Sequence, residues 1–199
     1  IPIVEDAAES LGSTYKGKSI GSFGNMGVFS FNGNKIVTCG GGGAIVTNDI
    51  DLGTRAKFLT TTAKQPHPYE YVHNELGYNY RMPNINAALA CAQLEQLDVF
   101  VKNKRELADK YSTFFKTEGI KFRTENKNTK ANYWLMCVEL KDKNERNLFL
   151  EKTNESGVMT RPIWQLMHRL PMYKDSQRDG QENALFLEER IVNIPSSVR

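Results

Sequence analysis

Four groups in the first fifty residues carry the chemistry of a reactive site: the carboxylate of Asp6, the hydroxyl of Ser30, the amine of Lys35 and the flexible backbone of Gly40 to Gly43. Taken singly, each has an ordinary explanation: an aspartate capping a helix start, a serine bonded to backbone, a solvated lysine, a glycine turn. A fifth group, Gly12-Ser13-Thr14-Tyr15-Lys16-Gly17-Lys18-Ser19, fits G-x-x-x-x-G-K-S letter for letter, the pattern of a loop that cradles nucleoside triphosphates. That loop works because a helix begins at its end and aims backbone N–H groups at the phosphates. Here Gly21, Gly24 and Gly27 follow, and glycines so closely spaced do not open a stable helix. The segment therefore reads as a β-hairpin with an exposed Lys18.

The elements that must position these groups are strand-like runs separated by glycine. Ile3-Val4 reads as a buried strand running straight into Glu5-Asp6, followed by Val28 to Phe31 and Ala44 to Thr47. A buried strand needs neighbours on both edges, so the opening residues read as a piece cut from a longer sheet. Asn48-Asp49 can cap a helix through Leu52, Ala56 and Leu59, which Gln65-Pro66-His67-Pro68 breaks. From Asn84 the spacing predicts one long helix ending near Gly119. Its alanines at 87 to 92 suit a packed core helix, with a dimer seam as the alternative. Beyond it the pattern predicts a strand over Tyr133 to Leu140, a helix over Asn144 to Ser156, a short strand at Met159 to Pro162 and a last helix over Ala184 to Val192. Trp164 reads as core.

Composition narrows the class. The 199 residues are 40% hydrophobic and 25% charged, as in globular α/β proteins. Lys plus Arg number 26 against 23 Asp plus Glu, an excess of 3 that argues for neither nucleic acid nor an anionic membrane. Cys39, Cys91 and Cys137 are widely spaced, which suggests neither a disulfide framework nor a metal site and fits a reducing cytoplasm. No apolar run approaches the roughly 20 residues needed to span a bilayer.

The order Asp6-Ala7-Ala8-Glu9, Ser30-Phe31-x-x-x-Lys35, Thr38-x-Gly-x-Gly-Gly resembles the DegT/DnrJ/StrS family of pyridoxal-phosphate-dependent aminotransferases, which act on nucleotide-linked sugars. The resemblance continues through Gly77-Tyr78-Asn79-Tyr80-Arg81-Met82, Asn86-Ala87-Ala88-Leu89, Arg161-Pro162 and Asn193-Ile194-Pro195-Ser196-Ser197. The stretch from His73 to Leu97 and the closing Asn-Ile-Pro-Ser-Ser look most like the LegC-type branch, associated with legionaminic-type amino sugars. Nearly the whole chain takes part, yet it corresponds to the later half of such an enzyme. The earlier half ordinarily supplies a helix N-terminus for the cofactor phosphate and an aromatic ring over the pyridine.

The resemblance implies an α/β fold: a partial fold-type I transferase, with residues 1–96 the remainder of the large cofactor domain and 97–199 a connecting helix and small C-terminal domain. It implies pyridoxal 5′-phosphate as cofactor, linked as an imine to Lys35, whose amine also moves the proton during transfer. A histidine in place of that lysine marks dehydratase relatives, so Lys35 favours transamination. By the same resemblance Asp6 keeps the pyridine nitrogen protonated, Ser30 donates to the phosphate, Ala8 lies flat against the ring, and Asn79 reaches the phosphate of a second subunit, giving a homodimer with shared sites. The implied reaction moves an amino group from an amino acid, L-glutamate, to C4 of a nucleotide-linked 4-keto-6-deoxy sugar for polysaccharide biosynthesis. Arg81 and His168 are candidates for substrate contact, each with a purely structural alternative. The chain departs from the pattern twice. Glu9 takes the cofactor-binding position where many relatives have glutamine to bond the ring hydroxyl; an ionised carboxylate beside that phenolate is repulsive, so it is protonated, turned away or offset by a cation, and Gly41 replaces an acidic residue. A catalytically silent dimerisation fragment of such an enzyme is the competing reading.

Overall fold

A computed structural model describes residues 1–199. The first part of the chain holds β1 (Val4–Asp6), β2 (Thr14–Tyr15), β3 (Lys18–Ser19), β4 (Met26–Ser30), β5 (Gly43–Val46), α1 (Ile50–Thr60) and α2 (Asn84–Leu94). Then come α3 (Leu97–Thr117), β6 (Lys121–Phe122), β7 (Thr129–Lys130), β8 (Met136–Glu139), α4 (Lys143–Glu155), β9 (Arg161–Pro162), α5 (Glu182–Glu188) and β10 (Ile191–Ile194). They form two compact units, one of Ile1–Val101 with Asn126–Trp134, the other of Lys102–Glu125 with Leu135–Arg199. Asn126–Trp134, which a division at residue 97 assigns to the small domain, thus lies within the first unit. No helix is long and apolar enough to cross a membrane.

In the first unit β1 pairs in parallel with β4, and β4 pairs antiparallel with β5. Phe31, Val37, Cys39 and Ala90 form the buried cluster beside this sheet, with Leu11, Phe29, Met82 and Leu97 packed around them. Ile3 and Val4 are 59% and 63% exposed, contrary to the buried strand the sequence suggests. The reason is topological, since β1 is an edge strand of this three-stranded sheet. Gly12 to Ser19 forms the expected hairpin, β2 with β3, around Lys16 and Gly17, both at positive φ. Its other edge carries β7, a pairing of distant segments that no local pattern announces. Asp49 caps α1 by accepting from the Asp51 and Leu52 N–H groups at 3.0 Å each.

The single long helix predicted from Asn84 is two. Gln96 N–H bonds back only three residues, to Gln93 O at 3.1 Å, and this tight turn divides α2 from α3. Of α2 only Ala90 is buried, so it is not the core helix its alanines suggest.

The second unit is built on an antiparallel sheet ordered β6-β8-β10-β9. Met136, Val138 and Val192, all but fully buried, form its centre. The last predicted helix stops at Glu188; Ile191 and Val192 belong to β10, where β-branched side chains pack well, and pair with β8. The strand expected from Tyr133 begins only at Met136, because Tyr133 adopts a left-handed φ of 50° that no strand accommodates. Trp164, predicted as core, is 69% exposed.

Candidate active site

β1 and β4 run parallel, so Asp6 and Ser30, the last residue of each, sit at the same end of the sheet, where Gly43 of β5 lies opposite Ser30. In α/β sheets ligands bind beyond the carboxyl ends of the parallel strands. The chain turns immediately after Asp6: Ala8 N–H donates to Asp6 Oδ1 at 3.2 Å, and Ala7 is fully buried. Asp6 itself stays exposed, its second carboxylate oxygen free of protein donors. Ser30 Oγ accepts from Asn32 N–H at 3.3 Å, which leaves its proton for another acceptor.

Lys35 comes to this end of the sheet through Glu9. Its Nζ pairs with Glu9 Oε1, three residues past Asp6 in the same turn. The lysine side chain is only 11% exposed, against 43% for the glutamate. The amine also lies 4.3 Å from the centroid of the Trp134 ring. Glu9 is therefore offset by a cation, one of the three resolutions open to it, and that cation is Lys35 itself.

The glycine run is shaped by its neighbours. Gly42 has φ 131°, where any side chain would strain the backbone, and a Cβ there would press on Met82 Cε at 2.8 Å. Its carbonyl accepts from Phe31 N–H at 2.9 Å, and Asn86 Nδ2 donates to Cys39 O at 2.5 Å, which pins the run to β4 and α2. Gly41, the unusual position, has open space around its would-be Cβ and could carry a side chain.

The glycines after the hairpin serve the protein itself. Glu5 accepts from the N–H groups of Gly21, Phe23 and Gly24 at 2.8, 2.5 and 2.5 Å. These bonds, Gly24's foremost, hold its carboxyl below the usual range. These N–H groups, which lie just beyond the G-x-x-x-x-G-K-S segment, thus form an anion-binding nest filled by an internal carboxylate. Gly27 must be glycine because a Cβ would lie 2.1 Å from Gly21 O, where the loop crosses β4.

Three further candidates are Asn79, Arg81 and His168. Asn79 is exposed on the loop between α1 and α2, bridged to Thr61, and Arg81 Nη2 donates to Thr61 O at 3.2 Å. Arg81 also lines a cleft of about 740 Å³ together with Gly41, Gly42 and Gly43 of the glycine run. No hydrogen bond or ion pair joins either residue to Lys35. His168 belongs to the second unit, in a short turn at Met167–Arg169, with its Nδ1 buried and without a hydrogen-bond partner.

Sequence reasoning missed Asn132 and Trp134. Asn132, 4% exposed, donates through Nδ2 to Glu9 O and Leu11 O at 2.7 and 2.8 Å. The only available signal was an asparagine just ahead of two aromatics, which the apolar pattern absorbed into a strand.

Comparison with known proteins identifies the family. The model of the DegT/DnrJ/EryC1/StrS aminotransferase family matches residues 1–199. EpsN of Bacillus subtilis (strain 168), a protein assigned as a pyridoxal phosphate-dependent aminotransferase, is 40% identical over 174 residues, 87% of this chain and 45% of EpsN. GDP-perosamine synthase of Escherichia coli O157:H7 is 38% identical over 194 residues, 98% of this chain and 52% of that enzyme. The crystal structure of the aminotransferase TlmJ from Streptoalloteichus hindustanus superposes with a TM-score of 0.90 at 25% identity, covering 99% of this chain and 53% of TlmJ. The chain spans about half the length of the curated relatives it matches.

Proposed function

The chain belongs to the DegT/DnrJ/EryC1/StrS aminotransferase family, and from that premise we propose that it is the cofactor-linking part of a pyridoxal-phosphate-dependent aminotransferase acting on nucleotide-linked sugars. The observation that carries the reading is the Lys35 amine, held by Glu9 in the turn that begins at Asp6, at the carboxyl ends of β1 and β4. The names of EpsN and GDP-perosamine synthase support the same cofactor and substrate class.

The donor set fits the cofactor. A shielded amine, an exposed carboxylate with an uncommitted oxygen and a hydroxyl with a proton to give are the groups that an aldehyde, a ring nitrogen and a phosphate require. Pyridoxal phosphate, when bound, supplies an aldehyde that takes up the amino group and a ring that accepts the electrons of the breaking C–H bond. Lys35 Nζ attaches the cofactor and, once displaced, carries the proton between the two carbons concerned. Asp6 keeps the ring nitrogen protonated by a charge-assisted contact worth roughly 1.5–3 kcal/mol. Ser30 Oγ donates to the phosphate, and the small Ala8 leaves room for the ring. Asn79 is assigned to the phosphate of the other subunit in a homodimer; Ile85 and Leu89 of α2, 85% and 46% exposed, give that dimer an apolar surface to cover. Arg81 and His168 are assigned to substrate contact.

We assign L-glutamate as donor and C4 of a 4-keto-6-deoxy sugar as the carbon aminated. In the full-length protein with added cofactor, we expect an absorbance band at about 400–430 nm and glutamate-dependent amination of GDP- or UDP-linked keto sugar. Lys35→Ala abolishes both. A band that survives this substitution removes Lys35 from its role. Amination by the isolated 199-residue chain would refute the silent-fragment reading.

A further inference from the structure

We propose that Asn132, Tyr133 and Trp134 form a clamp that positions the Lys35 amine, with Trp134 as the positioning residue. The proposal rests on the assignment of Lys35 as the cofactor-linking amine, and the contacts that define the clamp all lie in the first unit. Asn132 is the hinge. Its Nδ2 holds Glu9 O and Leu11 O, its backbone N–H donates to Ser13 Oγ at 3.0 Å, and its Oδ1 accepts from Trp134 N–H at 2.8 Å. One buried amide therefore ties the turn that carries Glu9 to the backbone that carries the indole.

Tyr133, between them, has φ 50°, a left-handed conformation rare for a bulky residue. It reverses the chain so that Trp134 N–H folds back onto the Asn132 side chain. The indole is then fixed at its other end: Nε1 donates to Asn34 O at 2.6 Å, the residue immediately before Lys35. Upstream, β7 pairs with β2, so the segment enters the clamp already anchored. These bonds to Trp134 come from Asn132 and from the loop that bears Lys35, and together they set the ring over the lysine amine.

A lysine side chain has a flexible four-carbon stem whose freedom works against a fixed reactive geometry. The ring and the Glu9 carboxylate hold the amine from two directions, leaving approach from the remaining side. The aromatic face attracts a cation without accepting a hydrogen bond, so it restrains the amine and still lets it leave when the chemistry requires. Departures from favoured backbone angles collect at such sites, where surrounding bonds over-determine them.

The test uses the full-length protein. In the cofactor-free form, brief acetylation with acetic anhydride and peptide mass spectrometry give the labelling of Lys35 relative to the exposed Lys57. Trp134→Ala should raise that ratio about fivefold or more, and Trp134→Phe, which retains a ring, by less than about twofold. With pyridoxal phosphate and borohydride, the rate at which Lys35 is trapped should fall about tenfold in the alanine variant and largely recover in the phenylalanine variant. Should the alanine variant fail to fold, Trp134→Met fills the space without a ring and takes its place. An alanine or methionine variant with wild-type melting, and with both readings within twofold of wild type, overturns the clamp. A wild-type protein that yields no trapped Lys35 overturns the aminotransferase reading instead, and the acetylation ratio then decides the clamp alone.

Discussion

Two lysines are withdrawn from solvent in this chain, and they are held by opposite means. Lys35 sits at the end of the β1 and β4 pair with a carboxylate on one side and an indole on the other. Lys104, on α3 in the second unit, is 4% exposed and donates to the backbone carbonyl of Ser196. Around it α3 grips the C-terminal segment: Asn103 exchanges two hydrogen bonds with Arg199, and Tyr111 donates to Pro195 O at 3.0 Å. Burial pushes the Lys104 amine down to about 8. Low exposure alone does not distinguish the two; their partners do. Side chains from two distant stretches, Glu9 and Trp134, converge on Lys35, an arrangement that can hold an amine and later release it. Through its side chain Lys104 fastens α3 to the C-terminal backbone, a task in which release has no use.

The comparison breaks most sharply on removing each amine. Lys35→Ala should lower amination by about a thousandfold or more, as loss of a covalent nucleophile does. Its thermal melting should move little. Lys104→Met should do the reverse, shifting melting while leaving the amination rate per folded molecule within about twofold. Steady-state assays beside calorimetry on the full-length protein check both, and a Lys104 variant as inactive as the Lys35 variant would erase the distinction.

A second consequence follows from the depressed Lys104 pKa. Below about 8 the amine is protonated in both folded and unfolded chains, and folding bears the cost of burying a charge. Between about 8 and the ordinary 10.5 the folded chain gives up its proton first, so the unfolded chain binds more protons and stability rises with pH. The gain attributable to this group is at most roughly 3 kcal/mol, reached above the unfolded value. Denaturant melts of wild type and Lys104→Met across pH 7.5–11 isolate it as the difference between two curves, which is expected to move in favour of the wild type as pH rises. Parallel curves would show that Ser196 O and the surrounding groups do not hold the amine as described.

Asn132 sharpens the comparison next, because it is as buried as Lys104 yet serves the Lys35 side. Asn132→Ala strips donors from Glu9 O and Leu11 O and leaves carbonyls short of partners, at about 1–3 kcal/mol for such a loss. The effect should appear in urea unfolding, together with freer Lys35 labelling. Asn132→Asp, which preserves the acceptor for Trp134 N–H but loses the donor, should cost a similar amount of stability while retaining more of the protection of Lys35.

Much of the positioning framework was legible in the chain because it is local. Asp49 capping α1 and the hairpin that turns at Lys16-Gly17 each announce themselves within a few residues. Asp6 was legible as a strand end and Ser30 as a strand residue, and parallel pairing brings their ends of the sheet together. What the chain concealed was non-local or a matter of competing local preferences. Trp134 reaches Lys35 across about a hundred residues of sequence, and β7 finds β2 over a similar separation; no periodicity encodes either. The break between α2 and α3 is one tightened turn inside an unbroken helical pattern. Ile191 and Val192 continue the apolar spacing of α5, and only their pairing with β8 shows them as strand.

The smallest expected effect tests why Lys35 has a carboxylate at all. The Glu9 side chain is 43% exposed, and ion pairs in that setting contribute at most about 1 kcal/mol because solvent screens them and both side chains must be ordered. Glu9→Gln keeps the shape and a carbonyl oxygen to accept from Lys35, so it should change stability by less than about 1 kcal/mol, within the reach of paired urea melts. If the pair existed to stabilise the fold, a larger loss would follow. If it existed only to orient the amine, the glutamine would do nearly as well, since Asn132 Nδ2 holds the Glu9 backbone carbonyl rather than its side chain. The informative case is Glu9→Ala, which removes the acceptor as well as the charge: stability should again move by less than about 1 kcal/mol, but Lys35 should become more accessible to acetylation. A stability loss well beyond that, with unchanged labelling, would make Lys35 a structural lysine of the same kind as Lys104.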